Sequence, residues 1–257
     1  MEGNLQMEKV IHEGMNLYMA DAMTIKHIQK REIADIKWKS LIYNGAKRTF
    51  DFVSSFLASI VLLLPILTIA LIIMIIDKGN PFYKQQRVGK DGKPIYIYKF
   101  RSMKKGADNL KEMLTPEQLE KYYKEYKLDD DPRLIGYKKE GDGNKCFGAK
   151  IRSMSIDELP QIFFNICIKG DMSVIGPRPI LESEIDENYT PAQKRKLLSV
   201  KPGLTGYWQA YARNNVGYKD GKRQEMELYY IDNQSVWLDI KILFKTVQTV
   251  LCRNGAK

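Results

Sequence analysis

From Phe52 to Ile76 the chain carries no charged residue, and only Ser54, Ser55, Ser59 and Thr68 interrupt the aliphatic run. As one straight helix this segment would be about 37 Å long, against about 30 Å for a bilayer core, so length alone permits a transmembrane span. Pro65 lies near its middle, where proline removes a backbone donor and clashes with the preceding turn. The run is therefore expected to form two shorter helices joined at a kink, each about 17 to 20 Å long and too short to cross. Basic residues flank both ends, Lys37, Lys39, Lys47 and Arg48 before it and Lys78, Lys84, Arg87 and Lys90 after it. Both ends then favour the cytoplasmic side. A helix that enters one leaflet, bends at Pro65 and returns satisfies both observations, with a single span as the alternative. The run starts too far from the N-terminus, and is too long, for a cleaved signal peptide.

Around this anchor, 257 residues with 44% hydrophobic content suffice for one core domain plus attachments. Lysine and arginine outnumber acidic residues 41 to 31, and the formal charge of +10 favours phosphate-bearing partners without choosing among nucleic acid, lipid headgroups and nucleotides. Cys146, Cys167 and Cys252 are odd in number and widely spaced, so neither a disulfide framework nor a cysteine zinc site is indicated. The two histidines, His12 and His27, precede every later motif, which leaves histidine-based nucleophile activation without support. No Walker phosphate loop or GxGxxG fingerprint is present. Reactive groups, if any, are then carboxylates.

The expected fold is α+β and helix-rich. It has three parts: a helical appendage of unknown role over 1–44, a re-entrant membrane helix over 45–78, and a cytosolic catalytic domain over 79–257 with a small sheet and interfacial amphipathic helices. Within Pro81 to Met103, a KDGK turn separates extended segments and IYIYKF alternates as a strand does. That places Lys99 and Arg101 at a strand end. Ala107 to Lys127 is polar and helix-prone, and Asp129 to Gly148 reads as an exposed loop rich in turn residues. Trp237, Ile240, Leu243, Phe244, Val247 and Leu251 recur at helical intervals, on a helix that packs on the core or lies on the membrane surface.

The densest chemistry lies in SIDELPQIFFNICIKGDMSVIGPRP, Ser155 to Pro179, which joins the adjacent carboxylates Asp157 and Glu158 to an arginine between two prolines. Ser155 and Glu158 fit a capping box, whereas a helix capped by Asp157 places Pro160 in its tolerant first turn. Either way the carboxylates sit at a helix N-terminus, which favours an approaching anion. Two carboxylates facing a diphosphate require a cation between them, and Mg²⁺ binds through one or two carboxylates plus substrate phosphates. One carboxylate can then hold the metal while the other attacks phosphorus. Arg152, Arg178, Lys99 and Arg101 are available for the phosphate oxygens.

KFRSM (Lys99 to Met103), DPR (Asp131 to Arg133), IRSMSIDELPQ (Ile151 to Gln161), NICIKGDMSVIGPRP (Asn165 to Pro179) and KPGLTGYWQ (Lys201 to Gln209) together resemble the bacterial sugar transferase family, the monotopic phosphoglycosyl transferases. The likeness runs from about Lys47 to the C-terminus in family order. It implies transfer of a sugar phosphate from a UDP-sugar to undecaprenyl (polyprenyl) phosphate with release of UMP, the initiating membrane step of glycan assembly at the cytoplasmic face of the bacterial inner membrane. It also implies Asp157 as nucleophile and Glu158 as the Mg²⁺ ligand. Arg152 and the Pro177, Arg178, Pro179 turn are the implied phosphate-binding groups, and Pro65 corresponds to the kink of the family's membrane helix. The larger members' extra membrane-spanning domain is missing, so the chain looks like the compact form. Arg213 is a further candidate for the nucleotide.

Two other readings compete: a metal-dependent phosphodiesterase at the membrane, and a non-catalytic basic protein tethered there. Nucleic acid is not an expected partner, because the aromatics beside the basic residues coincide with strand alternation and with these motifs. The sugar, the glycan pathway, the polyprenol and the oligomeric state, a homodimer included, are left open.

Overall fold

A computed structural model describes residues 41–125, 128–143, 145–212, 216 and 220–251. The predicted appendage over 1–44 lies largely outside the described residues, as does Arg213. From Thr49 onward the chain forms one structural unit.

Helix α1 (Leu41–Asp77) contains the whole apolar run and continues unbroken across Pro65. The sequence reading expected two helices here. A proline deletes one donor from the ladder, and the turns on either side keep the remaining hydrogen bonds, so the helix need not end. One stripe of α1 is buried: Asp51, Ser55 and Ser59 in the first half, Ile66, Ala70 and Ile73 in the second. The spacing of mainly three, four and seven is that of a single helix face. Phe52, Leu57, Val61, Leu64, Leu71 and Ile75, among others, remain exposed, an apolar surface too extensive for an ordinary water-facing helix.

Strands β1 (Phe82–Val88) and β2 (Pro94–Phe100) pair antiparallel, Phe82 opposite Phe100 and Arg87 opposite Ile95. The expected KDGK turn is a 3₁₀ turn over Lys90–Gly92, with Asp91 and Gly92 both at positive φ. Ile95 and Ile97 are buried and Tyr96 is exposed, the alternation that IYIYKF predicts. Phe100 joins Ile66, Ala70, Ile73, Ile135 and Ile151 in one core cluster, so the hairpin seals the second half of α1 onto the domain.

The polar stretch after the hairpin forms α2 (Leu110–Met113) and α3 (Pro116–Glu125). The Asp129 to Gly148 segment is rich in turns as expected, yet it is not an exposed loop: Asp131, Arg133, Leu134 and Ile135 are buried. Asp131 accepts from Arg133 Nε at 2.8 Å and from its terminal amine at 2.7 Å. This bidentate pair lets two charges enter the core together, while Ile135 supplies apolar contact.

Helix α4 (Phe147–Ser153) leads to a 3₁₀ turn over Ile156–Glu158 and then to a π-helix over Ile162–Lys169. Strands β3 (Ser173–Ile175) and β4 (Gly203–Thr205) pair parallel, connected through α5 (Glu182–Asn188) and α6 (Pro191–Leu197). Helices α7 (Tyr207–Tyr211), α8 (Lys222–Asp232) and α9 (Val236–Leu251) complete the order. Helix α9 inserts Ile242 into the cluster of Ile175, Ala210 and Tyr230, with Leu238 and Leu243 against it. The opposite side exposes Trp237, Ile240, Phe244 and Val247, Phe244 to 74%. Both sequence readings of this helix thus find a face.

Candidate active site

The 3₁₀ turn that carries the carboxylates is fixed on both sides. Ser155 takes left-handed backbone (φ 55°), which a non-glycine residue rarely adopts and which marks sites where geometry outranks local comfort. Its side chain makes no helix cap, so the capping box does not form. Pro160 is buried at the start of the following helix, in the first turn where its missing N–H costs nothing. Behind it, Asn165 is 0% exposed and cross-links the π-helix to β2. Its Oδ1 accepts from the Tyr98 N–H at 3.0 Å, and its Nδ2 donates to the Tyr96 carbonyl at 2.8 Å and to Asp171 Oδ1 at 3.1 Å. Gly170 then donates its N–H to the Asn165 carbonyl, the five-residue step of a π turn.

This docking brings Lys99, next to the last residue of β2, to the carboxylates. Lys99 Nζ donates to Glu158 Oε1 at 2.9 Å and stands 3.8 Å from Asp157 Oδ2. The three side chains are 20%, 18% and 15% exposed for Lys99, Glu158 and Asp157, accessible but largely shielded from water. Lys99 and Glu158 line a cleft with Arg87, Gln161, Arg178, Pro179, Leu204 and Gln209 among its other walls. Three cations thus converge with one of the two carboxylates on a single cleft.

The Pro177, Arg178, Pro179 turn is pressed against the start of β4. A Cβ on Gly203 would lie 2.1 Å from the Gly176 nitrogen, and one on Gly206 would lie 2.1 Å from the Gly176 carbonyl oxygen, so both positions must be glycine. Below the turn, Glu227 is 2% exposed and accepts the Arg178 backbone N–H at 3.2 and 3.4 Å through its two oxygens. Burial pushes the Glu227 carboxyl up to about 7, against the opposing pull of Arg223 and Arg178. The Arg178 and Arg223 guanidiniums lie 5.9 and 4.1 Å from the Trp208 ring centre, which sets the Arg178 side chain over an aromatic wall.

Of the residues singled out in the sequence, Asp157, Glu158, Lys99, Arg178 and Pro179 come together here. Arg101 turns away, its guanidinium paired with Asp77 at 2.9 Å at the end of α1. Arg152 is exposed at the C-terminal end of α4, outside the lining of the cleft. Pro177 is buried and lines a separate, mainly apolar hollow behind the turn. Sequence reasoning missed Arg87, Gln161, Gln209 and Glu227. Arg87 had been read only as a basic flank of the apolar run, and the sequence of β1, FYKQQRV, carries no alternation that would have set it apart.

Among the described residues no group of three or more His, Cys, Asp or Glu assembles to hold a metal ion. Asp157 and Glu158 do supply hard oxygen donors, and Mg²⁺ commonly takes one or two carboxylates and completes its shell with water and substrate phosphates. The donor set fits a cation that arrives with the substrate.

Residues 42–253 match the family model described as bacterial sugar transferase. The chain is 40% identical over 216 residues to the UDP-galactose-lipid carrier transferase of Erwinia amylovora, covering 82% of this chain and 41% of that protein. It is 40% identical over 213 residues to the undecaprenyl-phosphate galactose phosphotransferase of Salmonella typhimurium, covering 82% and 41%. To the exopolysaccharide production protein ExoY of Rhizobium meliloti it is 37% identical over 214 residues, covering 82% and 88%. The chain therefore spans about two fifths of the length of the first two relatives and most of the third.

Proposed function

The chain belongs to the bacterial sugar transferase family, and from that premise we propose that it transfers a sugar phosphate from a UDP-sugar to undecaprenyl phosphate, releasing UMP and initiating assembly of a polysaccharide. The observation that carries this reading is the Lys99 ammonium facing both Glu158 and Asp157 at a cleft that Arg178 also lines. The Salmonella relative is named for an undecaprenyl-phosphate acceptor and the Erwinia relative for a UDP-galactose donor. Galactose accordingly heads the sugars to be tested.

In this reading the donor's diphosphate enters the cationic cleft. The Asp157 carboxylate attacks the sugar-linked phosphorus; an Asp157 oxygen to phosphorus bond forms while the bond to the UMP oxygen breaks, and UMP departs with the electron pair. An oxygen of the lipid phosphate then attacks the same phosphorus, which regenerates the Asp157 carboxylate and leaves the sugar on a lipid diphosphate. Splitting one displacement into two is the usual gain of covalent catalysis. Lys99 holds the carboxylates against mutual repulsion and against the incoming anion, and Arg178 binds phosphate oxygens. Glu158, with Asp157 beside it, would hold Mg²⁺, which when bound neutralises the donor's phosphates.

The acceptor requires a membrane, and α1 supports attachment from one side. Asp51 near its start accepts from Ser173 Oγ at 3.0 Å and from the Val174 N–H at 2.9 Å, while Ile73 near its end is buried with Phe100, Ile135 and Ile151. These positions lie about 33 Å apart along a helix, yet both pack on the same unit. A re-entrant α1, bent at Pro65, with the active site on the cytoplasmic face of the inner membrane, accommodates this, and the exposed face of α9 suits the bilayer surface.

The test is UMP release from a panel of UDP-sugars by the detergent-solubilised chain, with and without undecaprenyl phosphate and Mg²⁺. UMP formation that depends on lipid and metal, with one sugar preferred, is expected. Free sugar phosphate formed without lipid would establish the phosphodiesterase reading instead, and silence across the panel would contradict both enzymes.

A further inference from the structure

Arg87 is the one cation of the cleft with no role so far. It sits near the end of β1, opposite Ile95, with a guanidinium that is largely enclosed. One terminal nitrogen pairs with Glu184 Oε1 at 3.1 Å and the other donates to Gln85 Oε1 at 2.8 Å. Its Nε is buried and has no hydrogen-bond partner. Arg178 lines the same cleft and, among the described residues, makes no side-chain ion pair; its carboxylate contact with Glu227 runs through the backbone N–H. Of the two guanidiniums that line the cleft, Arg87 alone has a side-chain ion pair among the described residues, with Glu184, while Glu158 is engaged by Lys99 and Glu227 by the Arg178 backbone. Like charges held together out of water are costly unless an anion joins them. Burial, opposed by Glu184 and reinforced by Arg178, draws the Arg87 guanidinium below its usual range, the direction of an incompletely neutralised cation.

We propose that Arg87 is a substrate ligand: with Arg178 it forms a two-guanidinium seat for the phosphate that leaves as UMP, about 13 Å along the hairpin from Lys99, which lies opposite Tyr83, four residues before Arg87. The inference rests on the transferase reading above. It adds a division of labour, in which the carboxylate end handles the sugar-linked phosphorus and the paired arginines hold the nucleotide phosphate as charge gathers on its leaving oxygen. Planar guanidiniums suit this task because they present donors in a fixed fork to phosphate oxygens. Glu184 competes for the same guanidinium and tunes the affinity downward.

The experiment measures UMP binding by titration calorimetry to the full-length chain in detergent, with wild type, Arg87→Gln and Glu184→Gln compared, and thermal midpoints recorded alongside. Arg87→Gln is expected to weaken UMP about tenfold or more, the loss of a charge-assisted contact, and Glu184→Gln to tighten it a few-fold. If Arg87 served only as the structural partner of Glu184, both variants would lose stability and affinity together, which would overturn the proposal. Affinity of Arg87→Gln within twofold of wild type would overturn it as well. Wild-type protein that neither binds UMP nor releases it from any UDP-sugar would overturn the transferase reading together with this inference.

Discussion

The Lys99 ammonium lies 2.9 Å from the Glu158 carboxylate although 59 positions separate the two residues in the chain. The contact exists because β2 ends where the 3₁₀ turn begins, with Asn165 fastening the π-helix to the same strand. Replacing Lys99 by Met removes the cation that faces both acids and exposes the donor's phosphates to them. Turnover in Lys99→Met should fall about a hundredfold or more, as for loss of one preorganised charge, with the thermal midpoint little changed. Steady-state UMP release checks it.

Asn165→Leu tests the fastening itself. A leucine of similar volume strands the Tyr98 N–H and the Tyr96 carbonyl, each a backbone group that Asn165 satisfies. A loss of about 2 to 4 kcal/mol in folding stability is expected from two such groups, together with reduced turnover because the carboxylates lose their register against Lys99. Chemical denaturation of the purified variant reads the first effect and UMP release the second.

Much of this arrangement was legible in the residues. IYIYKF with KDGK dictated a hairpin, and the adjacency of Asp157 and Glu158 before Pro160 dictated a constrained turn at a helix start. The pairing partners were not legible, since period-two and period-3.6 patterns report which face is buried and not what it meets. Nothing in FFNICI announces a π-helix, nor that the Asn165 side chain reaches back to β2, which is a tertiary contact. The DPR segment looked like surface loop because its charges were counted singly, whereas Asp131 and Arg133 enter the core as a pair. Arg87 was assigned to the membrane flank because proximity in sequence to the apolar run masked its position on β1.

Glu227 makes stability depend on pH. Its folded carboxyl is raised to about 7 from an ordinary 4.5, so between those values the folded state keeps a proton that the unfolded state has released. This group's contribution is fully present below about pH 4.5 and is lost as pH rises through 7. Between pH 5 and 8 the wild-type thermal midpoint should decline, and Glu227→Gln, whose amide oxygen still accepts the Arg178 N–H, should flatten that decline. Thermal scans of both proteins across the range decide it.

The orientation of α1 is open to direct labelling. In a background with Cys146, Cys167 and Cys252 replaced by serine, single cysteines at Lys47 and Lys78 bracket the apolar run. A re-entrant helix predicts that a membrane-impermeant maleimide reaches both from the cytoplasmic side only, in inverted but not right-side-out vesicles. Labelling of the two from opposite sides would establish a single span.

The central claim is that Asp157 carries the phosphosugar. The most direct measurement is mass spectrometry of the protein after incubation with the preferred UDP-sugar and Mg²⁺ in the absence of lipid phosphate, paired with quantification of UMP. A covalent Asp157 intermediate predicts a burst of UMP stoichiometric with enzyme, a sugar-phosphate adduct on the peptide containing Asp157, discharge of that adduct when undecaprenyl phosphate is added, and neither burst nor adduct in Asp157→Asn. Lipid-dependent turnover with no adduct, or an adduct that persists in Asp157→Asn, would contradict it.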